Sequence, residues 1–173
     1  MSISTLDTTI GGASANSYVT LQNAEDYFDA RLNSDVWTNA TSDDKNRALI
    51  QSTARMNNFN WIGDRVTFTQ RLAWPRWGAR KADQVSMGYG GGYYFNYADN
   101  YLTTEIPQPV KDAQCELALS LLEGEGGGAA GALDSFSTDG VTMKFSSAPA
   151  NVLPDRVAQL LAGLILGNML IRS

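Results

Sequence analysis

The sequence predicts a mainly α protein: a small bundle of about four helices with an inserted β-hairpin and a long Tyr/Gly-rich loop. Three observations lead there. Apolar residues recur at three- and four-residue spacing in four stretches, each opened by a capping residue or a proline. An Asp139-Gly140 pair precedes the alternation Val141, Met143, Phe145, as in a tight hairpin. The segment from Gln84 to Glu105 has neither period, and it concentrates glycines and aromatics instead.

The 173 residues suit a single domain, 1–173, and a chain of this length buries roughly 70% of its unfolded surface. Residues 1–13 form an N-terminal arm. The arm lacks the basic and apolar regions of a signal peptide, so no leader is expected. Thr20 is expected to cap a first helix from Leu21 to about Asn33, with Leu21, Ala24, Phe28 and Leu32 on one face. Thr41 or Ser42, followed by Asp43 and Asp44, opens a second helix to about Phe59. Its stripe is Leu49, Thr53, Met56 and Asn60, and flanking Ala48 and Ser52 point to close packing against the first helix.

Trp61 to Arg80 is irregular, and Pro75 holds Leu72-Ala73-Trp74-Pro75-Arg76 in an extended form. After the 84–105 insertion, Ile106-Pro107-Gln108-Pro109 starts a third helix. Val110, Ala113, Leu117 and Leu121 make one face of it, and Cys115, Leu119 and Leu122 make its far end apolar nearly all round. That is the pattern of a central, buried helix. Gly124 to Gly131 breaks the chain before the hairpin at 132–147. A fourth helix is expected over 153–171, carrying Val157, Leu160, Leu161, Leu164 and Ile165; its apolar stretch is too short to span a bilayer.

Composition limits function more than any motif. There is no histidine and one cysteine, Cys115. Histidine is the usual base near neutral pH and the commonest metal ligand. Its absence removes Ser-His and Cys-His nucleophile pairs and a Cys/His zinc site. Enzymes can work with carboxylates alone, but Asp43/Asp44 and Glu123/Glu125 sit where caps and helix ends explain them. The expectation is a protein that is not an enzyme and has no catalytic residues, cofactor or metal. Cys115 is expected to be a small core residue.

Two segments are candidates for binding. The insertion offers Tyr89, Tyr93, Tyr94, Phe95, Tyr97 and Tyr101 around Gly88, Gly90, Gly91 and Gly92. No Gly-Lys-Ser/Thr follows the glycines, so a phosphate loop is excluded. Tyr-rich, Gly-hinged segments give large contact area at low entropy cost. With Val141, Met143 and Phe145 of the hairpin, these residues are candidates for contacts with a neighbouring protein surface; a flexible surface loop is the other reading of the insertion.

The second candidate is a basic aromatic strip. Net charge is −5, yet Arg65, Arg71, Arg76, Arg80 and Lys81 face a single acid, Asp64, between positions 61 and 81. Arg65, Arg71, Trp74, Arg76, Trp77 and Arg80 could hold phosphates and stack bases of a single strand. In the rival reading, Trp61, Trp74 and Trp77 are core or interface plugs and the arginines pair with acids on neighbours. The acidic total favours the rival, because phosphate affinity comes from charge neutralisation.

Three motifs occur in order: Ser14-Ala15-Asn16-Ser17-Tyr18-Val19-Thr20-Leu21, Leu72-Ala73-Trp74-Pro75-Arg76, and Ile106-Pro107-Gln108-Pro109-Val110-Lys111-Asp112-Ala113-Gln114-Cys115-Glu116-Leu117-Ala118-Leu119. With the Leu153-Pro154 helix, they resemble a family of small tailed-bacteriophage proteins encoded among head genes. Its members are often labelled DnaT-like single-stranded DNA-binding proteins. They also look like head–tail adaptors, or head-completion proteins. The resemblance implies a structural neck protein of the virion, assembled in the host cytoplasm. It would form a ring, commonly of twelve copies, that joins the portal to a tail protein. Double-stranded DNA would pass through without sequence-specific binding, and no membrane is involved. The alternative function is single-stranded DNA binding through segment 61–81.

Overall fold

The structure is a computed structural model. It describes residues 5–81, 100–124 and 153–166, together with the backbone of 135–138 and 141–144. Among these residues the chain is mainly helical, with a small antiparallel hairpin. The helices are α1 (Leu21–Asp29), α2 (Asp35–Asn39), α3 (Ser42–Met56), α4 (Gln108–Leu122) and α5 (Asp155–Leu160). The strands are β1 (Asp64–Arg65), β2 (Arg76–Trp77), β3 (Ser135–Thr138) and β4 (Val141–Lys144).

The caps fall where the side chains predict. Thr20 Oγ1 accepts from the Asn23 N–H at 3.1 Å, while the Asn23 side chain takes the Thr20 N–H, so two end groups of α1 are satisfied together. Thr41 Oγ1 accepts from the Asp44 N–H at 3.2 Å, and Asp43 and Asp44 lie in the first turn of α3. Pro109 occupies the first turn of α4, where its missing N–H costs nothing.

α4 is the central helix, as its all-round apolar pattern requires. Val110 and every residue from Ala113 to Ser120 are buried. One apolar cluster joins Val110, Ala113 and Leu117 to Met56, Trp61, Trp74, Val157, Leu161 and Leu164. A second joins Cys115, Ala118 and Leu119 to Leu49, Ala24, Phe28 and Trp37. Contrary to the sequence expectation, α3 packs mainly against α4 and not against α1. The small residues Ala48 and Ser52 on α3 are both buried in that arrangement.

Gln114, fully buried in α4, ties three segments together. Its Oε1 accepts from the Tyr18 N–H at 3.0 Å, and its Nε2 donates to Ser17 Oγ at 2.8 Å and to the Leu49 carbonyl at 3.0 Å. Glu116 gathers the other side. Arg31 pairs with both of its oxygens, at 2.7 and 3.0 Å, and Tyr27 Oη donates to Oε1 at 2.6 Å. Arg156 of α5 lies 3.0 Å from the same oxygen. A buried carboxylate is stable only when so surrounded. Burial first, and then the bond to Glu116, push the Tyr27 phenol well above its ordinary value.

Three element boundaries differ from expectation. The first helix stops at Asp29, and Asn33 adopts a left-handed φ of 59°. The chain then forms α2, a single short turn with no readable period. It exists because Trp37 is buried, stacked on Phe28 at 4.4 Å, with its indole N–H donating to Glu25. The second helix ends at Met56, short of Phe59. The fourth helix, expected to run to 171, ends at Leu160. Beyond it the chain turns through Gly163 and lies along Asn60–Ile62. The Ile62 N–H donates to Leu164 at 3.0 Å, and the Leu166 N–H donates to Asn60 at 2.7 Å. Apolar spacing there serves an extended edge, because Leu161 and Leu164 reach the core from a turn as well as from a helix.

The hairpin forms as expected, with Phe136 opposite Met143 and Thr138 opposite Val141. Asp139 and Gly140 lie outside the described residues, as do Tyr89, Tyr93, Tyr94, Phe95, Tyr97 and Phe145. No described helix is long and apolar enough to cross a membrane.

Candidate nucleic-acid interface

The basic aromatic strip folds as a compact two-stranded ladder with a loop. Asp64 stands opposite Trp77, and Arg65 stands opposite Arg76. The two chains approach closely at Gly63, whose φ is 68°; a Cβ there would collide with the Trp77 carbonyl.

Two of the predicted contact residues are structural. Of the two readings of Trp74, base stacker or core plug, the structure bears out the plug that the acidic total favoured: the residue is 1% exposed. It packs edge-on to Trp61 at 5.6 Å and to Tyr101 at 6.1 Å. The cis Trp74–Pro75 peptide lies within a turn whose flanks are held from inside. Asn57 accepts the Ala73 N–H at 2.7 Å, and the buried Gln70 donates to the Leu72 and Pro75 carbonyls at 2.9 and 3.0 Å. In the strand-binding alternative Arg76 meets phosphate, and in the favoured rival it pairs with an acid on a neighbour. Its guanidinium donates instead to the carbonyls of Ile62 at 2.7 Å, Ala73 at 3.1 Å, and Gly63. Arg76 therefore clamps the ladder, and its donors are directed inward.

The remaining predicted residues lie at the surface. Arg65, Arg71 and Arg80 are exposed, and the Trp77 ring is 56% exposed. The sequence reading passed over Phe68, which is exposed to 108% of its reference area. The signal was present: Phe68 sits midway between Arg65 and Arg71 in a polar stretch with no helical or strand period. Exposed aromatics among arginines are the parts of a surface that meets both phosphate and base. Asp64 is the one acid in segment 61–81, and it too is exposed.

The interface candidates divide differently. Tyr101 is half-buried against the Trp74 cluster, with Lys81 Nζ 5.8 Å from its ring centre. It belongs to the core margin more than to a free loop. Its N–H donates to the Ala79 carbonyl at 2.9 Å, and Arg80 bridges to Asn100. The backbone at Ala79–Arg80 therefore lies directly beside that at Asn100–Tyr101. Val141 and Met143 lie in β4.

Among the described residues no set of three or more His, Cys, Asp or Glu side chains is placed to hold a metal. Cys115 is buried in the core, and burial pushes its thiol up to about 12. An open depression beside Asp155, Arg156, Gln159 and Leu160 has no enclosed polar group.

A sequence model of a family described as "Putative DnaT-like ssDNA binding protein" matches residues 4–172. No curated protein and no solved structure matches the chain.

Proposed function

We propose, for a chain that belongs to the DnaT-like single-stranded-DNA-binding family, that it binds single-stranded DNA through the exposed side of segment 61–81. The observation that carries this reading is that Trp77, Arg65, Arg71 and Arg80 are all exposed within one short segment that holds a single acid. Guanidinium groups neutralise phosphates, and a half-exposed indole gives a base a surface to stack on. Such contacts follow the backbone and tolerate sequence. The acidic remainder of the chain, 17 acids against 8 bases, repels DNA elsewhere and confines it to the strip. No reactive group, metal or cofactor is needed.

Fluorescence anisotropy with a labelled oligonucleotide, repeated across a salt series, tests the reading. Each lost phosphate contact lowers the magnitude of the log–log salt slope by about 0.7 for a single strand. Arg71→Ala and Arg65→Ala are each expected to weaken binding and flatten the slope by about that amount. No binding at low salt removes the proposal.

A second reading is structural: a virion neck ring of this chain between portal and tail. It is favoured by large apolar side chains exposed outside segment 61–81, Leu32 at 86% above all. A ring has two different contact faces per subunit, and such residues can serve them. Native mass measurement with and without portal protein tests it; a chain that stays monomeric with portal present counts against it.

A further inference from the structure

The loop between β1 and β2 buries one of its two aromatic residues, Trp74, and leaves the other, Phe68, in water although the loop itself is well held. Gln70, buried at its base, accepts the Thr67 N–H at 3.0 Å through Oε1 and donates through Nε2 to the Leu72 and Pro75 carbonyls. The Arg71 N–H donates to the Gly12 carbonyl at 3.2 Å, which fastens the loop to the N-terminal arm. Phe68 stands between these anchors with its whole ring exposed, and the exposed Arg65 and Arg71 lie three residues to either side. A phenyl ring gains a great deal from burial. A fixed loop that denies it burial presents it to something else.

We propose that Phe68 is a base-stacking residue of this surface, and that it makes the site prefer an unpaired strand. The inference rests on the single-stranded-DNA reading and adds a residue and a selectivity to it. A stacked base carries a phosphate on either side, and Arg65 and Arg71, three residues before and after Phe68 in the chain, are the exposed cations nearest to it in sequence. In a duplex both faces of every internal base are already covered, so Phe68 gains nothing there while the arginines still meet phosphate. The arginines thus give general affinity, and Phe68 gives the difference between single and double strands.

Anisotropy with labelled oligothymidylate and with a duplex of equal length tests this, using wild type, Phe68→Ala, Phe68→Leu and Phe68→Trp. Phe68→Ala is expected to weaken single-strand binding roughly five- to a hundred-fold. Its duplex binding and its salt slope stay as in wild type. Phe68→Leu, which keeps apolar bulk without a π-face, behaves like the alanine variant; Phe68→Trp keeps or tightens binding. Thermal melts of the same samples show unchanged stability, since the ring touches little. Wild-type affinity in Phe68→Ala, or retention in Phe68→Leu, overturns the assignment. Sedimentation of the DNA-free proteins adds a third check: self-association that Phe68→Ala abolishes places the ring in a protein contact and likewise overturns it. If wild type binds no oligonucleotide, the strip itself is not a DNA site and both readings fall. If wild type binds and Phe68→Ala equals it, only the Phe68 assignment falls.

Discussion

Trp74 and Trp77, three residues apart, stand in opposite surroundings: Trp74 is 1% exposed and edge-on to Trp61, whereas Trp77 is 56% exposed across the ladder from Asp64. Substituting them should therefore separate folding from binding. Trp74→Ala is expected to cost about 3–5 kcal/mol of stability, the usual range for an emptied aromatic core site. Trp77→Ala should leave the melting temperature nearly unchanged and weaken oligonucleotide binding by about 1–3 kcal/mol, the range for one stacked base. Denaturant unfolding and anisotropy on both variants check the split.

Asp64 is the exposed acid of the strip, next in sequence to Arg65. A carboxylate near a phosphate is repelled by about 1 kcal/mol in water at contact distances, less with salt. Asp64→Asn is expected to tighten single-strand binding about threefold at low salt, with the gain fading as salt rises. Unchanged affinity at every salt would place DNA away from the ladder.

Glu116 joins α4 to α1 and α5 through Arg31, Tyr27 and Arg156. Its side chain is 4% exposed, that of Arg31 is 15%, and that of Arg156 is 58%. Glu116→Gln should cost about 1–3 kcal/mol, because Arg31 loses its carboxylate but keeps the Leu32 and Asn33 carbonyls. Arg156→Ala, at the wet end of the same cluster, should cost at most about 1 kcal/mol. Urea titrations of the two variants give the comparison.

Cys115 supplies a pH test. Burial raises its thiol from an ordinary value of 9.0 to about 12, with the nearby Asp112 and Glu116 charges adding to the effect. The folded state thus holds the proton more tightly than the unfolded state. That contribution to stability is complete below pH 9 and is lost as pH rises from about 9 towards 12. The fall in stability over that window should be shallower in Cys115→Ala than in wild type. At pH 8 a thiol reagent should label native protein far more slowly than urea-unfolded protein.

Much of the scaffold was legible. Thr20 and Thr41 mark helix starts because a short side-chain oxygen before an apolar period takes the first unpaired N–H groups. The burial of α4 followed from apolar residues on every side of its far end. The site was half legible. Charge clustering located the strip, but chemistry alone gave Trp74, Trp77, Arg76 and Arg71 the same role. Phe68 was missed because an irregular segment has no period from which to read exposure. α2 was missed because five residues cannot display a helical repeat, and the buried Trp37 anchors it only through partners distant in sequence.

The amino-acid order alone determined that this is a helical chain with a central apolar helix, a tight hairpin, one basic aromatic strip and no histidine chemistry. These are local properties, fixed by spacing, capping and side-chain type within a few residues. Only the tertiary structure decided which aromatic of the strip is core and which is surface, and which arginine is spent on backbone carbonyls. It also decided that α5 ends at Leu160 so that Leu164–Leu166 can lie along Asn60–Ile62. Those outcomes depend on what arrives from elsewhere in the chain: Asn57 and Tyr101 around Trp74, and the Ile62 and Gly63 carbonyls at Arg76. A side chain's exposure is set by its neighbours in space, and sequence spacing specifies those only along a single element.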